Sequence, residues 1–352
     1  MQRWDQLTPK QRRKRKKAIL RQSALALAGA AMLAALSLGI AGLVRLLKKP
    51  PEQPPQPVMR EEPVSEETEE LTVQLPEPEP ERPSGPAADS ETAAVIGEEI
   101  YSEHAIVIDA DENIVLASKD CDEAVYPASM TKVMALLTAA EAIDDPQDTF
   151  TMTAEILSPL YRNDATITGY SAGETVTLRD LFYGAALRSA ADATQALACY
   201  VSGSEQVFAE RMNEKAREMG LSESTHFTNT SGLFAEEHRC TMRDMAAIML
   251  AAMQNELLSE VLSTSGYTAE PTDLHTEGLL FDNKYLRWFE ERQPTDFTVT
   301  ACKSGYIWQA KNCMVSYGVS PTGKHYICAT AGASNAARLM KDHRLLYETY
   351  GK

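Results

Sequence analysis

The sequence predicts a domain of the α+β class, in which both ends of one domain build a sheet around a helical middle. Short β-rich runs occur at residues 104–118, and the next such runs begin only at residue 297. The residues between about 150 and 260 are rich in Ala, Met and Leu at helical spacing. Strands at both ends of a helical region indicate an antiparallel sheet closed by the two ends of the domain, with a helical subdomain beside it.

Alternating apolar residues and turn signals place the individual elements. Residues 104–109 and 114–118 flank a polar turn and predict a β-hairpin. Pro127 and Ser129 mark the start of a helix, and residues 334–350 predict a closing helix. Three late strands are predicted at 297–303, 313–319 and 325–331, the last two joined by a Pro-Thr-Gly-Lys turn.

Residues 1–49 are basic and contain one long uncharged run. Twelve of them are Lys or Arg and one is acidic, and residues 23–44 carry no charge. As a helix this run would rise about 33 Å, close to the hydrocarbon core of a bilayer at about 30 Å. Positive charge is denser before the run than after it, which favours a cytoplasmic N-terminus. We predict a cytoplasmic segment at 1–22 and a single transmembrane anchor in the lipid bilayer at 23–44.

The alternatives to this anchor are a buried helix of a soluble domain and a cleaved signal peptide. A buried helix rarely stays uncharged for this length between basic clusters. Gly39-Ile40-Ala41 has the small-x-small form of a cleavage site, but the run is longer than the 7–15 residues of a signal-peptide core. An uncleaved anchor is therefore favoured. Anchor and signal peptide alike place the rest of the chain on the extracytoplasmic side.

Residues 45–92 are predicted to form a disordered linker. Between 50 and 92 the chain has eleven of its eighteen prolines, and twelve acidic residues against two basic ones. This composition buries too little apolar surface to offset the entropy of ordering. Residues 93–352 then form the folded extracytoplasmic domain. Their acidic excess excludes a basic surface for nucleic acid, so no nucleic acid is a predicted partner.

The six cysteines all lie in the folded domain, where an extracytoplasmic location permits disulfides. None forms a Cys-x-x-Cys pair or a Cys/His cluster, so we predict no metal site and no cofactor. Their apolar neighbours favour buried free thiols. A disulfide between Cys313 and Cys328 across a hairpin is the alternative.

Ser129 and Lys132 form the only Ser-x-x-Lys pattern in the chain. Residues three apart share one face of a helix, so the Lys132 amine can accept the Ser129 proton when burial and nearby cations lower its pKa. A serine in the first helical turn also directs its backbone N–H toward a developing oxyanion. Taken alone, the pair fits an N-cap serine and a solvated lysine at least as well.

A family resemblance extends beyond this pair. Residues 127–132 read Pro-Ala-Ser-Met-Thr-Lys, and Lys303-Ser304-Gly305 lies on a predicted strand. Together they resemble the first and third motifs of the penicillin-binding serine D-Ala-D-Ala carboxypeptidases, the low-molecular-mass penicillin-binding proteins. Other segments are similar to further landmarks of that family, in the same order, at 173–181, 225–233 and 238–244. The resemblance implies the penicillin-binding/β-lactamase-like transpeptidase fold.

The resemblance also implies a role for each motif residue. Ser129 would attack the penultimate D-Ala carbonyl of a peptidoglycan stem peptide ending in D-Ala-D-Ala, with Lys132 as general base. Ser189 would relay a proton to the leaving amine, and water would hydrolyse the acyl-enzyme. β-Lactam antibiotics are the implied acylating inhibitors. The implied substrate-binding residues, which hold the terminal carboxylate and complete the oxyanion hole, are Lys303, Ser304, Gly305 and Tyr306.

One position departs from the family pattern. The family's second motif usually reads Ser-Gly-Asn, whereas this chain has Ser189-Ala190-Ala191, and Ala191 lacks the hydrogen-bonding side chain of asparagine. Losing such a buried contact typically costs about 1–3 kcal/mol. A catalytically weakened or inactive protein that binds cell-wall peptides is therefore the main alternative. A β-lactamase is a lesser one, because no Glu-x-x-x-Asn loop occurs in the chain.

The sequence therefore predicts a single-pass protein of the bacterial cell membrane with a cytoplasmic N-terminus. Its extracytoplasmic domain is expected to be a serine-type D-Ala-D-Ala carboxypeptidase. His226 and His238 are expected to be structural, and Trp308 either lines the cleft or packs in the core. The chain ends soon after the third motif, so we expect no further C-terminal domain.

Overall fold

The computed structural model describes residues 84–292 and 296–351. The predicted cytoplasmic segment 1–22, the predicted anchor 23–44 and residues 45–83 of the predicted linker lie outside them. All the described residues belong to one unit of the chain, Pro78–Lys352.

A six-stranded sheet forms the centre of this unit. The strands of the described residues are β1 (Ala88–Val95), β2 (His104–Asp109), β3 (Ile114–Lys119), β4 (Thr149–Thr151), β5 (Thr175–Thr177), β6 (Gly266–Thr268), β7 (Leu280–Asp282), β8 (Thr298–Ile307), β9 (Lys311–Val319) and β10 (His325–Ala333). The sheet has the order β1-β3-β2-β10-β9-β8. Two separate two-stranded antiparallel sheets pair β4 with β5 and β6 with β7.

Helices cover both faces of this sheet. The helices of the described residues are α1 (Thr131–Ala140), α2 (Ala154–Arg162), α3 (Leu178–Leu187), α4 (Ala191–Ser202), α5 (Glu205–Glu218), α6 (Met242–Gln254), α7 (Glu256–Leu262), α8 (Lys284–Glu291) and α9 (Ala336–Tyr350). Within this part of the chain, no single helix is long and apolar enough to cross a membrane. Only α6 and α7 together reach that length and apolarity, and they meet at a bend of 108°.

The two faces of the sheet belong to two separate cores, which explains the continuous apolar runs of its central strands. In β2, Ile106 and Ile108 join the core formed with α1, α4 and α6. Ala105 and Val107 alternate with them and join the core formed with α8 and α9. The helical subdomain thus lies on one face of the sheet, and the closing helix lies on the other.

The predicted α+β class and the five predicted strands are confirmed, and two features differ from the prediction. Strand β1 begins at Ala88, so the folded domain starts before residue 93 and takes in the end of the predicted linker 45–92. This strand pairs in parallel with β3, and the sheet is therefore mixed rather than antiparallel. The sequence of β1, ADSETAAV, lacks an alternating apolar pattern because β1 is an edge strand whose residues are mostly exposed.

Helix α1 brings the Ser-x-x-Lys pattern to the edge of the sheet. Nine of its ten residues are buried, because its sequence TKVMALLTAA is apolar nearly all round. A 3₁₀ turn at Ala128–Met130 precedes the helix and packs against the end of β8. Since β8 is the other edge strand of the sheet, this turn and β8 together form one side of an open cleft.

Candidate active site

Ser129 lies in the turn before α1, where two glycines let the main chain approach closely. Ala128 has a φ of +46°, a left-handed conformation that residues other than glycine rarely adopt. A Cβ at Gly232 would lie 1.7 Å from the Ala128 carbonyl oxygen, and a Cβ at Gly305 would lie 2.8 Å from the Ser129 nitrogen. The backbones of residues 232 and 305 therefore hold the Ser129 turn from two sides.

The Lys132 amine lies 3.0 Å from the Ser129 hydroxyl oxygen, and it also donates to the Ser231 carbonyl oxygen at 2.5 Å. The Lys132 side chain is buried at 2% exposure. Burial, helped by the positive charge of Lys303, holds the pKa of Lys132 well below its usual value. A neutral amine at this distance can accept the proton of the Ser129 hydroxyl, as a general base requires.

A tight loop at residues 229–233 fixes the carbonyl group that Lys132 contacts. The side-chain oxygen of Asn229 accepts hydrogen bonds from the backbone N–H groups of Ser231 and Gly232, at 3.1 and 2.8 Å. Its side-chain amide donates to the Leu233 carbonyl oxygen at 3.0 Å. The segment was identified from the sequence by resemblance only. Its task here is to hold a backbone oxygen against Lys132.

Lys303, on strand β8, forms the second polar pair of the cleft. Its amine donates to the Ser189 hydroxyl at 2.8 Å and to the Ser304 carbonyl oxygen at 2.9 Å. Burial lowers the pKa of Lys303 to about 8. Lys303 is therefore mostly charged at neutral pH, as suits a group that binds a carboxylate. Ser189 reaches it from the α3–α4 connection, with a φ of +62°.

These residues face a cleft with a volume of about 490 Å³. The structure places the following sequence-predicted site residues on its walls: Ser129, Ser189, Lys303, Ser304, Gly305 and Tyr306. Lys132 lies behind Ser129 rather than on the wall. The backbone nitrogen of Ser129 lies close to Gly305, the residue before Tyr306, since a Cβ at Gly305 would lie 2.8 Å from it.

One wall of the cleft, formed by residues 282–285, was not predicted from the sequence, and neither were the further lining residues Thr166 and Arg188. The side-chain oxygen of Asn283 caps α8, and its side-chain amide donates to the Cys302 carbonyl oxygen at 3.1 Å. Asn283 thus ties the start of α8 to β8 beside Lys303. The Asn-Lys-Tyr-Leu sequence is a helix-start signal, but no motif indicates that this helix lines the site.

The sequence of this domain matches one known protein family. Residues 89–335 match the family model described as D-alanyl-D-alanine carboxypeptidase. The chain belongs to this family. Two curated relatives are DacF of Bacillus subtilis, 30% identical over 213 residues, and DacB2 of Mycobacterium tuberculosis, 33% identical over 169 residues. The matched regions cover 60% and 47% of this chain, and 52% and 54% of the relatives. The chain thus spans about half the length of the curated relatives it matches.

Solved structures of a DD-transpeptidase and of a penicillin-binding protein share the fold. The DD-transpeptidase of Streptomyces K15 is 25% identical, with a TM-score of 0.64, and the match covers 72% of this chain and 97% of that one. Penicillin-binding protein 5 from Haemophilus influenzae is 22% identical, with a TM-score of 0.63, over 71% of this chain and 70% of that one. The predicted penicillin-binding, transpeptidase-type fold is therefore confirmed, with the mixed sheet described above.

Ala191, where the carboxypeptidase family usually has asparagine, is the first residue of α4 and is 3% exposed. Its backbone N–H donates to the Thr166 carbonyl oxygen at 2.8 Å. Ala191 is not on the wall of the cleft, so Ser189 alone represents the family's second motif there. The side-chain contact that an asparagine would supply is absent.

His238 supports the start of α1, next to the turn that contains Ser129, and it does not line the cleft. The Thr228 N–H donates to its Nδ1 at 3.0 Å, so its proton lies on Nε2, which donates to the Thr131 hydroxyl at 2.7 Å. Burial lowers the pKa of His238 to about 4, and the ring is neutral at neutral pH. His238 therefore has the structural role that the sequence predicts.

The cysteines and Trp308 are not part of the cleft. All six cysteines are free, and five of them are buried. Burial raises the pKa of Cys302 and of Cys313 to about 12, which makes both thiols poor nucleophiles although they lie next to the site. Cys328 pairs with Ser316 and Cys313 with Gly305, so the two thiols do not face each other across the hairpin. Trp308 is 83% exposed and neither lines the cleft nor packs in the core.

Proposed function

We propose that this protein is a membrane-anchored serine D-alanyl-D-alanine carboxypeptidase that removes the terminal D-Ala from peptidoglycan stem peptides. The single observation that carries the proposal is the pair of Ser129 and Lys132, with hydroxyl and amine 3.0 Å apart. The buried amine has a lowered pKa and shares the cleft region with Lys303 and Ser189. Family membership and the names of the relatives support the same reaction.

In the proposed acylation, the Ser129 oxygen attacks the carbonyl carbon of the penultimate D-Ala, and the hydroxyl proton moves to the Lys132 amine. Negative charge on the carbonyl oxygen is stabilised by the backbone N–H groups of Ser129 and Tyr306. The peptide C–N bond then breaks, and the proton taken up by Lys132 passes through the Ser189 hydroxyl to the departing amine, which leaves Lys132 neutral again. The products are free D-Ala and an ester between Ser129 and the shortened peptide.

In the proposed deacylation, water attacks the ester while Lys132 accepts one of its protons. Lys132 returns this proton to the serine oxygen as the ester breaks, and the shortened peptide leaves with a new carboxyl group, which ionises in water. Lys303 and the Ser304 hydroxyl hold the terminal carboxylate of the incoming substrate. The charged Lys303 is suited to this because its pKa of about 8 keeps it protonated at neutral pH.

Ala191 favours a second candidate function, a protein that binds cell-wall peptides with weak or no turnover. Ser189 remains hydrogen-bonded to Lys303, but no side-chain amide stands at position 191. Both candidates bind the same peptide. They differ in the rate of D-Ala release.

The test uses the full-length protein in detergent, incubated with a labelled penicillin and examined by intact-mass spectrometry. We expect one covalent adduct on the wild type and none on Ser129→Ala. Absence of an adduct on the folded wild type would overturn the acyl-enzyme proposal. Rapid hydrolysis of the adduct would indicate a β-lactamase. Release of D-Ala from a stem peptide separates the carboxypeptidase from the weak-turnover binding protein, which takes an adduct but releases little D-Ala.

Membrane anchoring through residues 23–44 is part of the proposal and has its own test. Expressed in a bacterium, the full chain should sediment with membranes and resist extraction by high salt. Deletion of residues 23–44 should abolish this. Protease added outside spheroplasts should digest the domain of residues 93–352, and digestion only after lysis would contradict the proposed orientation.

A further inference from the structure

Two cations on the cleft wall have no assigned task in the proposed reaction. Arg188 directly precedes Ser189, and Lys284 begins α8 on the wall of residues 282–285. Both side chains are exposed. The Arg188 Nε donates to the Ile167 carbonyl oxygen at 2.8 Å, and this contact fixes the start of its guanidinium group. Among the described residues, neither cation forms an ion pair.

The structure assigns to Arg188 and Lys284 a second anion site, which binds a carboxylate of the substrate other than the terminal one. The inference rests on the proposed function, because it concerns the peptide that occupies the same cleft. It adds a specificity determinant: the preferred peptide carries two carboxylates, one at its C-terminus and one on the side chain of the residue before D-Ala-D-Ala.

The charge of the cleft contrasts with the charge of the protein. The chain has 50 acidic and 34 basic residues, yet the residues that line the cleft include three cations, Arg188, Lys284 and Lys303. The one carboxylate on the same wall is that of Asp282, and its oxygen lies 3.7 Å from Arg287. The cleft is therefore net positive within an acidic protein, an arrangement that attracts anions.

Lys284 and Lys303 are close enough to repel each other. The charge of Lys284 contributes to the lowered pKa of Lys303, beside the main effect of burial. A substrate with one carboxylate neutralises Lys303 and leaves Lys284 and Arg188 without a counter-charge. A second carboxylate supplies that counter-charge, and a guanidinium such as that of Arg188 can bind it through two parallel hydrogen bonds.

The test compares two peptides that differ in one group, an acyl-aminoadipyl-D-Ala-D-Ala with a free side-chain carboxylate and its side-chain carboxamide. Binding is measured by calorimetry with full-length Ser129→Ala protein in detergent, so turnover does not enter. We expect the acid to bind about tenfold more tightly than the amide at low ionic strength. The preference should shrink at high salt.

The variants assign this preference to the two cations. Arg188→Gln with Lys284→Gln should bring the acid-to-amide ratio close to one, and Arg188→Lys should keep part of the preference because it keeps the charge. Arg211→Gln, an exposed position on α5 outside the cleft, is the matched control and should keep the full preference. Circular dichroism checks that each variant is folded.

Equal binding of acid and amide to the parent protein would overturn the inference, and so would a preference that survives in the double variant. Failure of the proposed function has a different signature. In that case the wild type releases no D-Ala from either peptide and takes no penicillin adduct, while the binding preference and its loss in the double variant remain measurable.

Discussion

At the scale of single residues, the cleft uses lysine twice for two different tasks. Lys132 is buried behind Ser129, where burial and the charge of Lys303 favour its neutral form. Lys303 is buried too, but its pKa falls only to about 8, and it stays mostly charged at neutral pH. Two amines of one chemical type are thus divided into a proton acceptor and a carboxylate-binding cation by their surroundings.

This division predicts a bell-shaped pH dependence of kcat/KM for D-Ala release. Activity should rise with pH as Lys132 loses its proton, and fall above about pH 8 as Lys303 loses its own. The falling limb should appear mainly in KM, since Lys303 binds the terminal carboxylate. A peptide with a C-terminal amide has no such carboxylate and serves as the control, with a lower rate but no falling limb near pH 8. A flat profile for the carboxylate peptide between pH 7 and 10 would contradict the assignment of Lys303.

Ala191 gives a gain-of-function prediction. Ala191→Asn should raise kcat/KM for D-Ala release by about ten- to a hundred-fold, because it supplies a buried hydrogen-bonding side chain behind Ser189. Ala191→Leu has a side chain of similar shape without the amide and is the matched control. Measured on a stem peptide, equal rates for the alanine and asparagine proteins would show that position 191 does not limit turnover.

At the scale of elements, the loop of residues 229–233 and the turn before α1 act as one unit. Gly232 has a φ of +78°, and a Cβ there would lie 1.7 Å from the Ala128 carbonyl oxygen. Asn229 holds this loop through three hydrogen-bonded neighbours, Ser231, Gly232 and Leu233. The position of the nucleophile therefore depends on a loop a hundred residues away in the sequence.

Gly232→Ala should both destabilise the protein and misplace Ser129. Gly220→Ala is the matched control, since Gly220 has a φ of +68° but nothing within 4 Å of an added Cβ. The control should lower the free energy of unfolding by about 1 kcal/mol through backbone strain alone. Gly232→Ala should lower it by about 1–3 kcal/mol more and slow penicillin acylation at least tenfold. Urea unfolding and intact-mass kinetics measure both effects, and equal behaviour of the two variants would contradict the close contact.

Several elements were predictable from the sequence because their signals are local. The spacing of Ser129 and Lys132 brings their side chains together on any helix, and the apolar runs of β2, β9 and β10 identify strands. The approach of Ser189 to Lys303 followed from family resemblance and not from spacing. Local patterns carry no information on which distant segments meet.

The missed features all depend on long-range packing. Lys132 bonds to the backbone carbonyl oxygen of Ser231. Every residue type has such an oxygen, so the sequence gives no signal for this contact. The wall of residues 282–285 reaches the cleft only because Asn283 bonds to the main chain of β8. Strand β1 is polar and exposed, and it is held by backbone bonds such as that from the Ala88 N–H to the Asn113 carbonyl oxygen at 3.1 Å.

At the scale of the whole described unit, α9 joins the two ends of the domain. The Asp342 carboxylate accepts hydrogen bonds from the backbone N–H groups of Tyr101 and Ser102, at 2.9 and 2.7 Å. His343 lies between the Ser316 and Thr330 hydroxyls on β9 and β10, with its Nδ1 and Nε2 at 2.8 and 2.9 Å from them. Adjacent residues of the closing helix thus bond to the segment before β2 and to the last strands.

The buried histidines predict a loss of stability in mild acid. Burial lowers the pKa of His343 to about 3 and that of His238 to about 4, whereas an unfolded chain has a histidine pKa of about 6.5. Below pH 6.5 the unfolded chain therefore binds protons that the folded domain does not. Their contribution to stability is complete above that pH and decreases as the pH falls toward 4 and 3, by up to about 1.4 kcal/mol per pH unit for each ring.

Urea unfolding of the full-length protein between pH 7 and 4.5 measures this loss. His343→Gln should remove about half of the histidine contribution to the slope, because glutamine keeps a polar side chain near the Ser316 hydroxyl but binds no proton. The matched control is Gln206→Ala, at an exposed position on α5 that carries no titratable group; its slope should match that of the wild type. If His343→Gln and the wild type lose stability in parallel over this range, His343 is protonated in the folded protein, and its buried surroundings do not exclude the proton.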